Sequence, residues 1–332
     1  MTQSQSSATK VHWPAEWVLH EATWMGFPCR REIWTNGLEK AQRAFAEVAN
    51  QISEYEPVKM IVPAEHQKMA KKLLSAGVEQ LTADIDDSWA RDTSPVWVRQ
   101  EQSMYGVDFE FNCWGNKFKP FDNDRAIAAK ICQFSQTSRI ENSLILEGGS
   151  VHSNDRGVLL TTKECLLNPN RNPHLSQQAI EQELIKALGV EQFIWLEKGV
   201  AGDVDTDGHI DNIACFVNEK TILTQKCSQD SENFSIYRDN KNIIQAAKFD
   251  LLEIAEPEAR YHQGMREPLS YINFYIANGS VIIPKFGCKQ DDEAYNVISE
   301  IFADRKVHAI DANEILVGGG GIHCITMQQP KS

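Results

Sequence analysis

Two rhythms alternate along the chain. One is a pair of short apolar runs folded about a polar turn and opened by a polar or acidic stretch. EGGSVHSNDRGVLLTT (147–162) turns at NDRG, GHIDNIACFVNEKTILTQ (208–225) at NEK, and SYINFYIANGSVIIPKFG (270–287) at Asn278-Gly279. Asn-Gly between apolar runs is a strong hairpin signal, because both residues tolerate the positive φ that a tight turn requires. ARDTSPVWVRQEQSMYGVDF (90–109) is a longer version of the same plan. The other rhythm spaces apolar residues three and four apart and predicts helices over 41–55, 176–189 and 292–305. Ser176 is the expected N-cap of the second and Gly189 its terminator.

Asp92, Glu147, His209, Tyr271 and Cys324 mark corresponding points in these openings and recur about every 60 residues. That period predicts a radial repeat, each unit giving a small sheet and a helix with its polar opening turned toward a common centre. The expected organisation is a flexible tail over 1–9 and a single pseudo-symmetric α/β domain over 10–332.

Composition narrows the function. A net charge of −13 disfavours nucleic acid and anionic membrane and suits a cationic small molecule. No apolar run approaches the ~18 residues of a membrane span, and MTQSQSSAT lacks the form of a secretory signal, so the expectation is a soluble cytoplasmic protein. The eight cysteines show no zinc-ligand spacing, and the chain is long enough to hold itself together without disulfides. Most should be buried apolar residues; Cys324, in GGGGIHCITMQQP (318–330), stands apart because of its neighbours.

If the openings converge, DDSWARDTSP brings Asp86, Asp87, Trp89, Arg91 and Asp92. LEGGS brings Glu147, DTDGHIDN brings Asp205, Asp207, His209 and Asp211, and GIHC brings Cys324. A thiol with an imidazole is a nucleophile with an acid/base partner. The surplus of acceptors over donors argues against an acyl-transfer oxyanion hole and for a planar cation with forked N–H donors, a guanidinium. Clamped between carboxylates, its central carbon would sit over the sulfur and its charge would favour the thiolate. Four glycines before Ile-His-Cys would let the backbone approach closely. Asp207 and Asp211 flank His209 at two-residue spacing, as on one side of a strand. By the same alternation His323 should point away from Cys324. No metal is expected, since no helical ligand motif appears.

WPAEW (13–17), EATWMGFP (21–28), DDSWARDTSP, EGGS, TDGHIDN and GGGGIHCITMQQP together resemble the agmatine deiminases of the guanidino-group modifying superfamily. The resemblance spans the chain and implies the pentein fold, a five-bladed α/β propeller of ββαβ units. It implies Cys324 as nucleophile through an amidino-thioether, and His209 as proton donor and then water activator. Asp92 and Asp211 would grip the guanidinium, with Glu147 near the leaving group and Trp89 along the methylene chain. It implies agmatine as substrate, N-carbamoylputrescine and ammonia as products, no cofactor, and a homo-oligomer. Gly321 departs from the family's asparagine, and Met327 from its frequent glutamine.

Alternatives on the same fold are a deiminase or amidinotransferase acting on arginine or another guanidine, and a non-catalytic binding protein. Agmatine's ammonium calls for an acid partner, for which Asp203, Asp205 and Asp207 are candidates, and Asp86 is expected among the substrate-binding residues. The region 226–268, from KCSQDSENFSIYRDN onward, contains a polar stretch expected to be a loop that closes over the pocket on substrate binding.

Overall fold

The computed structural model describes residues 10–262 and 264–332; the tail expected over 1–9 lies outside the described residues. One topology occurs five times: an antiparallel strand pair, then a helical crossover to a third strand parallel to the second. In the second unit Val96–Gln100 pairs with Ser103–Glu110, which runs parallel to Ser138–Ile145 across helix Ile127–Phe134. The third unit uses Val151–Ser153, Val158–Thr162, helix Gln177–Leu188 and Gln192–Leu196. The fourth uses Ala214–Phe216, Thr221–Lys226, helix Phe234–Ala246 and Asp250–Ala255. The fifth uses Tyr275–Ala277, Ser280–Lys285, helix Asp291–Ile301 and Lys306–Asp311.

The first unit joins the two ends of the chain. Met327–Pro330 pairs antiparallel with His20–Gly26, which runs parallel to Val58–Val62 across helix Leu38–Ile52, and Val78–Thr82 extends the sheet. The repeat is thus closed by a strand from the far end of the sequence. At that junction the Trp24 indole Nε1–H, wholly buried, donates to Gln329 Oε1 at 2.9 Å.

The four expected hairpins are present, with Asn278-Gly279 at its turn and Gly279 at φ 75°. The expected helices form with shifted ends. Ser176 caps the second by accepting from the Ala179 N–H, and Gly189 ends it at φ 69° where a Cβ would overlap the Val11 carbonyl. Each helix lays an apolar stripe on its sheet; Phe45, Val48 and Ile52 pack with Val58 and Met60 in the largest core cluster.

Two expectations fail. The unit openings are not strands: residues 148–150 and 210–212 form 3₁₀ turns before the strands begin. Side-chain direction there is set by turn geometry, so the alternation argument for Asp207, His209 and Asp211 does not hold. The stretch 226–268 is not a loop over the pocket either. It carries the fourth unit's helix and third strand, whose apolar positions Tyr237, Ile244 and Ile254 are buried among polar neighbours that mask the period, and none of its described residues lines the pocket.

Gln329→Leu should leave the Trp24 N–H buried without an acceptor and cost about 1–3 kcal/mol. Urea unfolding monitored by tryptophan fluorescence would measure it; an unchanged midpoint would contradict the role given to this closure.

Candidate active site

Each unit sends its opening residues to one buried centre. The second contributes Asp92, on the short helix Ala90–Thr93. The third contributes Glu147, immediately before a 3₁₀ turn, and the fourth His209 and Asp211 around another. The first contributes Cys324, in the turn before the closing strand. Gly149 lies where they meet: a Cβ on it would sit 2.7 Å from His209 Nδ1, 2.9 Å from Asp92 Oδ1 and 3.0 Å from Asp211 Oδ2. Glycine is required there by close approach. Its backbone N–H donates to Asp92 Oδ1 at 2.9 Å, and Trp114 Nε1–H donates to Oδ2 at 2.9 Å. Trp114 is carried by a run of left-handed residues, Cys113 to Asn116, with φ of 55°, 52°, 90° and 63°. Such strain persists only where surrounding contacts enforce it, and it collects at functional sites.

Around the sulfur, Asp211 Oδ2 lies 3.5 Å from Cys324 Sγ and the Asn273 amide nitrogen 3.2 Å. His209 stands between two carboxylates, its Nδ1 3.9 Å from Asp92 and its Nε2 3.7 Å from Glu147, too long for hydrogen bonds. Burial pushes the Cys324 thiol well above its usual range, and Asp211 and Asp92 push it further. Burial opposes charging of His209, but Asp92, Cys165 and Glu147 outweigh it and hold the imidazole well above its ordinary value. Asp92 is raised by burial, with Asp211 and Glu147 adding to the effect. Burial also works against ionised Asp211 and Glu147, yet both are lowered, Asp211 by His323 and Glu147 by Arg171. Glu147 Oε2, His209 Nε2 and Asp211 Oδ1 are buried without a hydrogen-bond partner among the described residues. Glu147 Oε2 and His209 Nε2 lie 3.7 Å apart, and buried polar atoms left unpaired in this way call for a ligand.

The pocket is walled by Ile33, Trp89, Trp114 and Phe118, by Gly318 to Gly320, and by Thr206. Asp92, Cys324, Asp87 and Asp205 complete it; none of its lining residues is Lys or Arg. Trp89 lies against Gly318 and Gly320, where a Cβ would strike the ring. Asp87 is pushed by burial up to about 6, and Asp205 is raised by burial and by Asp203. Gly319, at φ 99°, leaves room for the Asp205 carboxylate.

Other candidates lie elsewhere. Asp86 is outside the pocket, because its carboxylate accepts from the Asn123 backbone at 2.8 Å and side chain at 3.0 Å. Asp207 turns from the pocket to Lys117 at 2.7 Å and Arg171 at 2.8 Å. Asp203 accepts from the backbone N–H of Thr206, Gly208 and His209 and so folds its own loop. His323 turns its ring from the sulfur to bridge Asp211 at 2.9 Å and Glu16 at 2.9 Å.

Arg171, Glu16, Asn273 and Trp114 do not follow from the pattern reading. Arg171 Nε donates to Glu147 Oε1 at 2.7 Å, but it sits in the turn cluster NPNRNP, where no periodicity marks it. Glu16 joins His323 and Arg91 behind the site; an acid between two tryptophans in WPAEW was the available signal. Met327 touches Arg91 through its sulfur at 3.3 Å.

Glu147, Cys165 and His209 bring possible ligand atoms within 4.8 Å of one another. The set suits a metal poorly. Arg171 already supplies Glu147 with a cation, and burial holds the Cys165 thiol above its usual range.

The sequence pattern of the Porphyromonas-type peptidyl-arginine deiminase family matches residues 12–330. A Legionella pneumophila protein, provisionally named an agmatine deiminase, is 42% identical over 331 residues, 96% of this chain and 94% of its own. The agmatine deiminase of Medicago truncatula is 37% identical over 360 residues, 96% of each chain. An agmatine deiminase of C. jejuni, solved with substrate bound, superposes at a TM-score of 0.93 and 30% identity, covering 100% of this chain and 99% of that one.

His323, raised by Glu16 and Asp211 against the opposing effects of burial and Arg91, has a pH signature. A raised imidazole contributes its stability fully below its ordinary value of ~6.5 and loses it as pH rises through the folded value. The stability gap between the native chain and His323→Gln should therefore be widest near about pH 6 and narrow toward pH 9. Urea titrations across that range would test this; a gap that widens with pH would contradict it.

Proposed function

The chain belongs to the Porphyromonas-type peptidyl-arginine deiminase family, in its agmatine deiminase branch and with its pentein fold, and from that premise we propose that it hydrolyses agmatine to N-carbamoylputrescine and ammonia. The observation that carries this reading is the meeting of Cys324 with Asp92, Asp211, Glu147 and His209 at one buried centre, at a pocket that Cys324 and Asp92 line.

In this mechanism the guanidinium N–H groups donate to Asp92 and Asp211, which sets the central carbon over Cys324 Sγ. The arriving positive charge offsets the two carboxylates that hold the thiol protonated, and the thiol releases its proton to solvent to form the thiolate. Sulfur attacks the carbon and a C–S bond forms. The His209 imidazolium gives its proton to the departing nitrogen, the C–N bond breaks, and ammonia leaves an amidino-thioether. His209, now neutral, takes a proton from water as the hydroxyl adds to the same carbon. The C–S bond then breaks, the sulfur departs with its electron pair, and the ureido product forms as the hydroxyl proton passes to solvent. Glu147, fixed by Arg171, faces His209 Nε2 and steadies the imidazolium.

Agmatine is favoured over arginine or a peptidyl arginine by the pocket's charge. It has no lining cation to receive a carboxylate, while Asp205 can receive an ammonium; Asp87, also in the lining, has the Arg30 guanidinium at 3.7 Å. Lys117 lies nearby, but its ammonium is committed to the Val204 and Asp205 carbonyls and to Asp207. Trp89 would lie along the methylene chain.

No described helix is long and apolar enough to cross a membrane, and all eight cysteines are unpaired. The unpaired thiols support a reducing compartment, the cytoplasm. A homo-oligomer is expected from the family and is read by light scattering.

Ammonia and ureido product should be released from agmatine but not from arginine or a blocked arginine peptide, and Cys324→Ala should abolish release. Asp205→Asn should raise KM for agmatine about tenfold or more and change kcat little, the loss of one charged hydrogen bond in the ground and transition states alike. Faster turnover of arginine would overturn the substrate assignment.

A further inference from the structure

Four of the five units give the centre a side chain of obvious chemistry: Asp92, Glu147, His209 with Asp211, and Cys324. The fifth was marked in sequence by Tyr271, but the Tyr271 hydroxyl donates to Asp291 at 2.6 Å, away from the pocket. What the fifth unit places at the centre is Asn273. We propose that Asn273 is a catalytic residue, whose side-chain amide donates to the Cys324 sulfur and holds it as the attacking thiolate. This rests on the reading of Cys324 as nucleophile.

The contacts settle which way the amide faces. Its oxygen accepts the backbone N–H of His323 at 2.9 Å and, more weakly, that of Cys324 at 3.4 Å, and it lies 3.5 Å from Cys324 Sγ, farther than the nitrogen at 3.2 Å. The other end is therefore the NH₂ group, with one hydrogen directed to Asn212 Oδ1 at 3.0 Å and the other to Cys324 Sγ at 3.2 Å. Asn273 is buried with its oxygen and both N–H groups engaged, so it cannot turn without leaving a buried group unpaired.

The rest of the sulfur's surroundings gives this donor its weight. Asp211 from the fourth unit and Asp92 from the second both oppose a negative sulfur. The Arg91 guanidinium is engaged by Glu16 at 3.0 Å, and the His323 ring faces Asp211 and Glu16. His209 faces Asp92 and Glu147. The Gly321 backbone supplies the other N–H toward the sulfur. Among the described residues Asn273 is the side-chain N–H donor within reach of Sγ.

Gly321 belongs to the same device. A Cβ there would overlap Asn273 Oδ1 and crowd its Cγ. The bare backbone at this position, where the resemblance leads one to expect asparagine, gives the Asn273 amide its place beside the sulfur.

Asn273→Asp keeps the shape and replaces the donor with an oxygen that repels a thiolate. The readout is the pH dependence of Cys324 alkylation by iodoacetamide in the substrate-free enzyme, with kcat for agmatine alongside. The midpoint of alkylation should move up by about one pH unit or more, and kcat should fall about 100-fold, the loss typical of removing one donor from a developing anion. Asn273→Ala removes the donor without adding charge and is read the same way if the aspartate variant does not fold. An alkylation profile superimposable on the native one would overturn the proposal, because a merely structural role would lower activity without moving it. Failure of the native enzyme itself to turn over agmatine or to alkylate at Cys324 would instead sink the functional reading on which this rests.

Discussion

The structure depends on an unfavourable thing made tolerable: three carboxylates, those of Asp92, Glu147 and Asp211, crowded out of water around one thiol. Like charges buried this closely cannot all ionise unaided. Two have their own cation, Arg171 on Glu147 at 2.7 Å and His323 on Asp211 at 2.9 Å. Asp92 has only neutral donors, Trp114 and Gly149, and shares His209 with Glu147 at longer range. Asp92 is therefore the carboxylate with no cation in hydrogen-bonding contact, and the unpaired oxygens and imidazole nitrogen of the cluster show that further donors can be received there. A guanidinium supplies both the charge and the forked donors, and supplying the charge is also what frees the thiol from its proton.

A pentein fold suits such a site because no single element can gather these groups. Each unit needs only a short polar turn at its inner end, while its sheet and outer helix bury apolar surface independently. Closure by the last strand on the first places Cys324, late in the sequence, beside residues from the second, third and fourth units. The glycines before it serve packing as well as reach. Gly318 and Gly320 accept the faces of Trp34 and Trp89, Gly319 makes room for Asp205, and Gly321 for Asn273.

Legibility followed the physics of each element. Hairpins with turn signals and amphipathic helices with caps were readable because local chemistry fixes them, and a period near 60 residues revealed the repeat. The helix at Phe234–Ala246 was not readable, because polar residues interrupt its apolar stripe. The reacting groups could be picked out as an improbable set of types, but not their directions, since 3₁₀ turns rather than strands aim them. Hence Asp86 and Asp207 looked equivalent to Asp205 in sequence and are not in space. Arg171, Glu16 and Asn273 act through partners far along the chain, and single-sequence patterns carry no such pairing.

The electrostatic account is tested most directly by calorimetry on Cys324→Ala, comparing agmatine with N-carbamoylputrescine. The two ligands have nearly the same shape and differ in the charge of the group that meets Asp92 and Asp211. The account predicts that agmatine binds at least about 100-fold more tightly, a difference of roughly 2.7 kcal/mol. Equal affinity for the two would mean that the pocket reads shape rather than charge, and would contradict it.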